Sequence, residues 1–169
     1  MLGELEPVSD RWQLRFERKL KHPPAKVWAA LTQPDELRKW FPDTIVVSEW
    51  RVGARLQFRH EGGLYAFDGE VLVHEPPRVL EFGWGTDRIR FEVAPAANGS
   101  VLTLIDTIDD VGKAARDAAG WHVCLDALEA ALDGRESRSM GDAWPAINRD
   151  YITKFGPEAA TIGPPQGAV

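Results

Sequence analysis

The stretch AARDAAGWHVCLDALEAALD, Ala114 to Asp133, decides the fold. Ala118, Trp121, Leu125, Leu128 and Leu132 recur at steps of three and four, so they form one apolar stripe on a long helix. Upstream, between Trp12 and Ile108, the chain reads mainly as short strands. A single long helix after a run of strands has to lay its stripe on a broad sheet. That combination predicts a concave sheet gripping a helix, with room for a ligand between them. On the opposite side of the helix, Ala119, Val123, Ala127 and Ala130 make a second arc of small residues. Its default is solvent exposure; otherwise it receives the segment around Trp144 or a second subunit.

Working outward, Trp12, Leu14, Phe16 and Leu20 alternate with Gln13, Arg15, Glu17 and Lys19, the period-two pattern of a half-buried strand. Pro23 and Pro24 open a short helix carrying Val27, Trp28 and Leu31. Pro34, followed by Asp35 and Glu36, opens a second, which Pro42 stops. Strands are then predicted over 44–50, 54–60, 64–74, 78–84, 87–93 and 101–108. Turn signals at Gly53, Gly62-Gly63, Pro76-Pro77 and Asn98-Gly99 separate them. Gly69 reads as a bulge or bend inside its strand. The fold class is therefore α+β: a curved antiparallel sheet of about seven strands, two short helices, the long helix, and a short terminal helix over Trp144 to Phe155. Residues 1–10 read as an N-terminal extension, 11–134 as the main domain, 135–155 as a C-terminal extension and 156–169 as a flexible tail.

Composition narrows the functional classes. The chain has 169 residues, and at that length folding buries roughly 70% of the unfolded surface, enough for one cored domain. A net charge of −6 lacks the basic footprint that nucleic acid or an anionic membrane requires. No apolar run is long enough to span a bilayer. MLGELEPVSD has neither the basic start nor the apolar core of a secretory signal. Cys124 stands alone, which fits a reducing compartment. The expectation is a cytoplasmic protein that binds neither nucleic acid nor membrane.

Polar residues in phase with apolar ones mark candidate sites. Arg18 shares the phase of Leu14 and Phe16, His60 that of Leu56 and Phe58, and Asp106 that of Leu102 and Leu104. On a cavity-facing surface these would place a cation, an imidazole and a carboxylate in apolar surroundings; near strand ends they would instead reach water or pair with each other. Trp40, Trp50, Trp84 and Trp121 suit an aromatic cavity wall, with core packing as the bland alternative. His122 and Asp126 lie one helical turn apart, which fits a surface contact better than an acid–base pair, since no nucleophile accompanies them. His22, His60, His74 and His122 are scattered, so no metal is expected, and no phosphate-binding loop indicates a cofactor.

Three segments together resemble a known family: HPPAKVWAALTQPDELRKWF at His22 to Phe41, GEVLVHEPPRVLEFGWG at Gly69 to Gly85, and LTLIDT with GWHVCLDALEAAL between Leu102 and Leu132. The resemblance is to proteins homologous to the activator of Hsp90 ATPase, within the START and Bet v 1-like superfamily. It covers about two thirds of the chain and implies a helix-grip fold, often enclosing a cavity. Relatives often carry a His after the LTL run, where this chain has Ile105-Asp106. Function transfers less well than fold. The leading expectation is binding of a small hydrophobic or aromatic molecule, with contacts from Trp40, Trp84 and Trp121 and orientation from Arg18, His60 and Asp106. Alternatives are a chaperone-associated or stress-related interaction factor, which would include a homodimer, and a polyketide cyclase- or dehydratase-like enzyme using His60 or Asp106.

Overall fold

The computed structural model describes residues 1–164. Its strands are β1 (Glu4–Val8), β2 (Arg11–Leu20), β3 (Asp43–Val46), β4 (Arg55–His60), β5 (Ala66–Glu75), β6 (Val79–Trp84), β7 (Asp87–Ala96) and β8 (Gly99–Ile108). The helices are α1 (Pro24–Thr32), α2 (Pro34–Leu37), α3 (Ala114–Leu132) and α4 (Met140–Phe155). All strands pair antiparallel in one sheet of order β1-β2-β8-β7-β6-β5-β4-β3. The excursion through α1 and α2 carries the chain from β2 to the far edge, and β3 to β8 then return strand by strand to close against β2. This is the helix-grip arrangement that the long helix predicts.

The sheet has eight strands rather than about seven, because residues 4–8 extend it instead of forming a separate extension. Pro7 hides this strand in the sequence, yet proline is tolerated at a sheet edge, where one row of N–H groups is unpaired. Gly3 N–H also donates to the Tyr151 hydroxyl at 2.8 Å, which ties the edge to α4. At the other edge, β3 ends at Val46 rather than Trp50. Trp50 turns away to donate its indole N–H to Thr32 O at 2.8 Å. Gly69 is needed for close approach: a Cβ there would lie 2.2 Å from Gly83 O. The register shift expected near it falls slightly later, between Val71 and Val73.

The apolar stripe of α3 is buried along its length, with Ala118 and Leu128 fully inaccessible. Its small-residue arc is covered as well: Ala119, Val123 and Ala130 are buried. The cover is α4, which starts at Met140, four residues before the predicted helix; Ser139 caps it by accepting the Asp142 N–H. Trp144 donates its indole N–H to Arg116 O across this interface. Residues after Gly156 depart from the flexible tail expected there. Pro157–Ala160 forms a 3-10 turn, Ala159 is 1% exposed, and Ile162 N–H donates to Gly112 O. Burying that alanine and satisfying both backbone groups holds the segment in place. The remainder of the predicted tail, 165–169, lies outside the described residues.

Candidate functional site

A cavity of about 880 Å³, partly open to solvent, is lined from the sheet, from α3 and from Met140 and Trp144 of α4. The turn from α2 into β3 brings Trp40 and Phe41, β4 ends on His60, and β5 with the loop before it supplies Tyr65 and Phe67. β6 ends on Trp84, and α3 closes the space with Trp121, Cys124 and Ala127. Trp84 and Trp121 meet at 5.4 Å between ring centroids, and Phe41 lies 5.7 Å from Trp121. These tilted contacts suit the quadrupoles of aromatic rings better than face-to-face stacking.

Each wall tryptophan has its polar edge satisfied by the protein. Trp84 donates its indole N–H to Asp43 Oδ2 at 3.0 Å, Trp121 to Asp106 Oδ2 at 2.8 Å, and Trp40 to Ala30 O at 2.8 Å. With their only donors occupied, the three rings offer a ligand carbon and π surface and make no demand for a hydrogen bond.

Charged side chains, among them Arg38, Lys39, Asp87, Arg116, Asp117 and Arg138, also line the cavity, and beside Trp84 its polarity is organised by one buried acid. Asp43, whose side chain is fully buried at the start of β3, accepts from Trp84, from the Tyr65 hydroxyl at 3.1 Å and from His60 Nδ1 at 3.4 Å. A carboxylate only accepts, so His60 carries a proton on Nδ1 and leaves Nε2 for another partner. Burial, reinforced by the Asp43 charge, holds the Tyr65 phenol above its ordinary value, so it remains a donor. Burial pushes the Cys124 thiol up to about 12, with Asp43 adding to the effect, so this sulfur is no nucleophile at neutral pH.

Of the residues singled out from the sequence, Trp40, His60, Trp84 and Trp121 line this cavity together. Asp106 sits behind Trp121, with no accessible surface. Burial first, then the charges of Asp87 and Asp117, holds its carboxyl well above the usual carboxylate range. Arg18 is not at the cavity: its guanidinium pairs with Asp126 of α3 at 3.4 Å, because a side chain of that length reaches from the sheet to the helix. Trp50 is also absent from the wall and packs against Phe82. Asp43, Phe41, Tyr65 and Phe67 were missed. Asp43 obeys the same rule, since it shares the phase of Ile45 once the strand begins one residue earlier.

His122 and Asp126 are structural. His122 Nδ1 lies 3.0 Å from the Tyr151 hydroxyl, and Nε2 is 3.7 Å from Asp126. The hydroxyl accepts from Gly3 and therefore donates to a neutral His122. Burial lowers the His122 pKa below its ordinary 6.5, outweighing the opposing pull of Asp126. The unfolded chain then takes up this proton first. The stabilising contribution is complete above pH 6.5 and is lost as pH falls from there toward the folded-state value. His122→Gln is expected to flatten the melting temperature over that acidic window; an unchanged pH profile would refute the assignment.

The family model described as "Activator of Hsp90 ATPase homolog 1-like protein" matches residues 21–133. The chain belongs to this family. No curated protein matches it. Among solved structures, a conserved protein of unknown function from Enterococcus faecalis, EF2215, superposes with a TM-score of 0.77 at 20% identity over 90% of both chains. CalU16 from Micromonospora echinospora gives 0.70 at 21% identity, covering 90% of this chain and 93% of that one. MLL2253 from Mesorhizobium loti gives 0.60 at 26% identity, covering 73% and 98%. At these identities the first two establish the shared fold. Among the described residues no helix is long and apolar enough to cross a membrane.

Proposed function

We propose that this protein binds a small hydrophobic or aromatic molecule in the cavity between the sheet and α3. The observation that carries the reading is a volume of about 880 Å³ walled by tryptophans whose N–H groups are already satisfied. That size lies within the roughly 300–1,000 Å³ typical of ligand sites. His60 Nε2 and the Tyr65 hydroxyl, both backed by Asp43, are the polar groups beside the tryptophans that would orient a ligand, and Arg38, Lys39, Arg116 and Arg138 line the same space.

Binding should quench tryptophan fluorescence and raise the melting temperature, since a ligand at a hundred times its Kd adds about 2.7 kcal/mol of stability. Screening aromatic and aliphatic compounds is expected to find such ligands, and Ala127→Phe, which fills the cavity from α3, should abolish both signals in a folded protein. If no compound in a broad panel moves either signal, and the purified protein carries no small molecule, the reading fails.

A second reading, cyclase- or dehydratase-like chemistry, draws support from His60, whose Nδ1 is held by a buried carboxylate in the manner of an oriented general base. Turnover unchanged in His60→Ala would remove it. A chaperone-associated role is supported by the family description alone.

A further inference from the structure

Behind Trp121, three carboxylates from three elements converge: Asp87 at the start of β7, Asp106 on β8 and Asp117 on α3 each offer an oxygen within 4.8 Å of the others. Their hydrogen-bond partners are Lys113, Thr86, Arg116 and Trp121. The Lys113 ammonium spends its three protons on Asp87 at 2.6 Å, Asp109 at 2.9 Å and Thr86 at 3.5 Å. Arg116 Nε serves Asp117 Oδ1 at 2.6 Å, and Trp121 serves Asp106 Oδ2 at 2.8 Å. One oxygen on each remaining residue, Asp106 Oδ1 and Asp117 Oδ2, is buried without a partner among the described residues. Asp106 is fully buried, and an oxygen desolvated in this way is destabilising unless something meets it. Charge points the same way. Counted as ionised, the four carboxyl groups, with Asp109, face one ammonium and one guanidinium and fall two positive charges short, the repulsion that helps hold Asp106 toward its protonated form.

We propose that Asp87, Asp106 and Asp117 bind one hard divalent cation, of the size of calcium, beside the ligand cavity. A single proton shared between Asp106 and Asp117 would satisfy the two oxygens but leave half of the charge deficit. A divalent ion meets both. All donors are oxygens, which selects calcium, magnesium or manganese over zinc or copper. Three carboxylates brought from two strands and a helix suit the flexible shell of six to eight oxygens that calcium accepts better than the near-ideal octahedron that magnesium demands. Asp87 and Asp117 also line the cavity, which supplies an entry path. The two sites share the cavity through Asp87 and Asp117, but metal binding is read separately from ligand binding, so either assignment stands without the other.

The test uses full-length protein stripped with EDTA and then titrated with calcium, magnesium or manganese. Calcium is expected to bind at one ion per chain by calorimetry, raise the melting temperature and alter Trp121 fluorescence, with magnesium weaker. Asp106→Asn and Asp117→Asn should each weaken calcium binding at least tenfold, while Asp35→Asn, on exposed α2, should not. Circular dichroism checks folding of the variants, and the wild-type stoichiometry remains decisive if a variant fails to fold. Absence of any cation response in wild-type protein overturns the proposal. So does an equal response in Asp106→Asn, or stabilisation by acid alone with no cation effect.

Discussion

Tyr151→Ala is expected to cost about 3–5 kcal/mol of folding stability, the range for truncating a fully buried aromatic ring. Tyr151 has no accessible surface, and its ring packs against Phe155 at 5.2 Å and edge-on against Phe16 at 6.4 Å. Its hydroxyl accepts the Gly3 N–H and meets His122, so one side chain joins α4, the start of the chain and α3. Tyr151→Phe separates the contributions: it keeps the ring and should cost about 1–2 kcal/mol for the lost hydrogen bonds. Ending the chain after Gly134 should be worse than either, because it strips α4 from the small-residue arc of α3. Urea unfolding checks all three. A chain ending at Gly134 with an unchanged midpoint would make α4 an accessory and remove the physical account given for the arc's burial.

That arc shows where sequence pattern reaches its limit. The Trp121-to-Leu132 stripe identified the helix and its sheet partner because both halves of the pattern lie within single elements. Ala119, Val123 and Ala130 were equally regular, but small residues are compatible with solvent or with a close helix. Only the Ser139 cap and the Tyr151 contacts, later in the chain, decide between them. The same reasoning separates the site residues. Strand phase puts Arg18, His60 and Asp106 on the inner face, but phase says neither how far a side chain reaches nor what lies in front of it: Arg18 reaches Asp126, and Asp106 lies behind Trp121. The Asp87–Asp106–Asp117 cluster was invisible for a different reason. Metal sites legible in a sequence are closely spaced histidines or cysteines, whereas these carboxylates come from separate strands and a helix and meet only through tertiary packing.

Asp43 carries the second large expectation. Asp43→Ala removes the acceptor shared by Trp84, Tyr65 and His60, and the three donors do not lose equally. His60 and Tyr65 line the cavity, so water or a ligand can take their bonds. Trp84 N–H points to a position with no accessible surface, and its loss of partner should cost about 1–3 kcal/mol, to which the space left by the carboxylate adds. The functional effect should be larger than this stability change implies. Without Asp43, His60 is no longer held with its proton on Nδ1, and Trp84 is freed to turn its N–H toward the ligand. Affinity for a cavity ligand is therefore expected to fall at least tenfold, equivalent to about 1.4 kcal/mol. Asp43→Asn should fall between the two, since its amide oxygen can still accept while its NH₂ opposes one of the existing donors. Fluorescence titration with any ligand from the screen, alongside urea unfolding, measures both effects. Wild-type affinity in a folded Asp43→Ala protein would show that His60 and Tyr65 do not depend on the carboxylate behind them, and the polar end of the cavity would have to be assigned elsewhere.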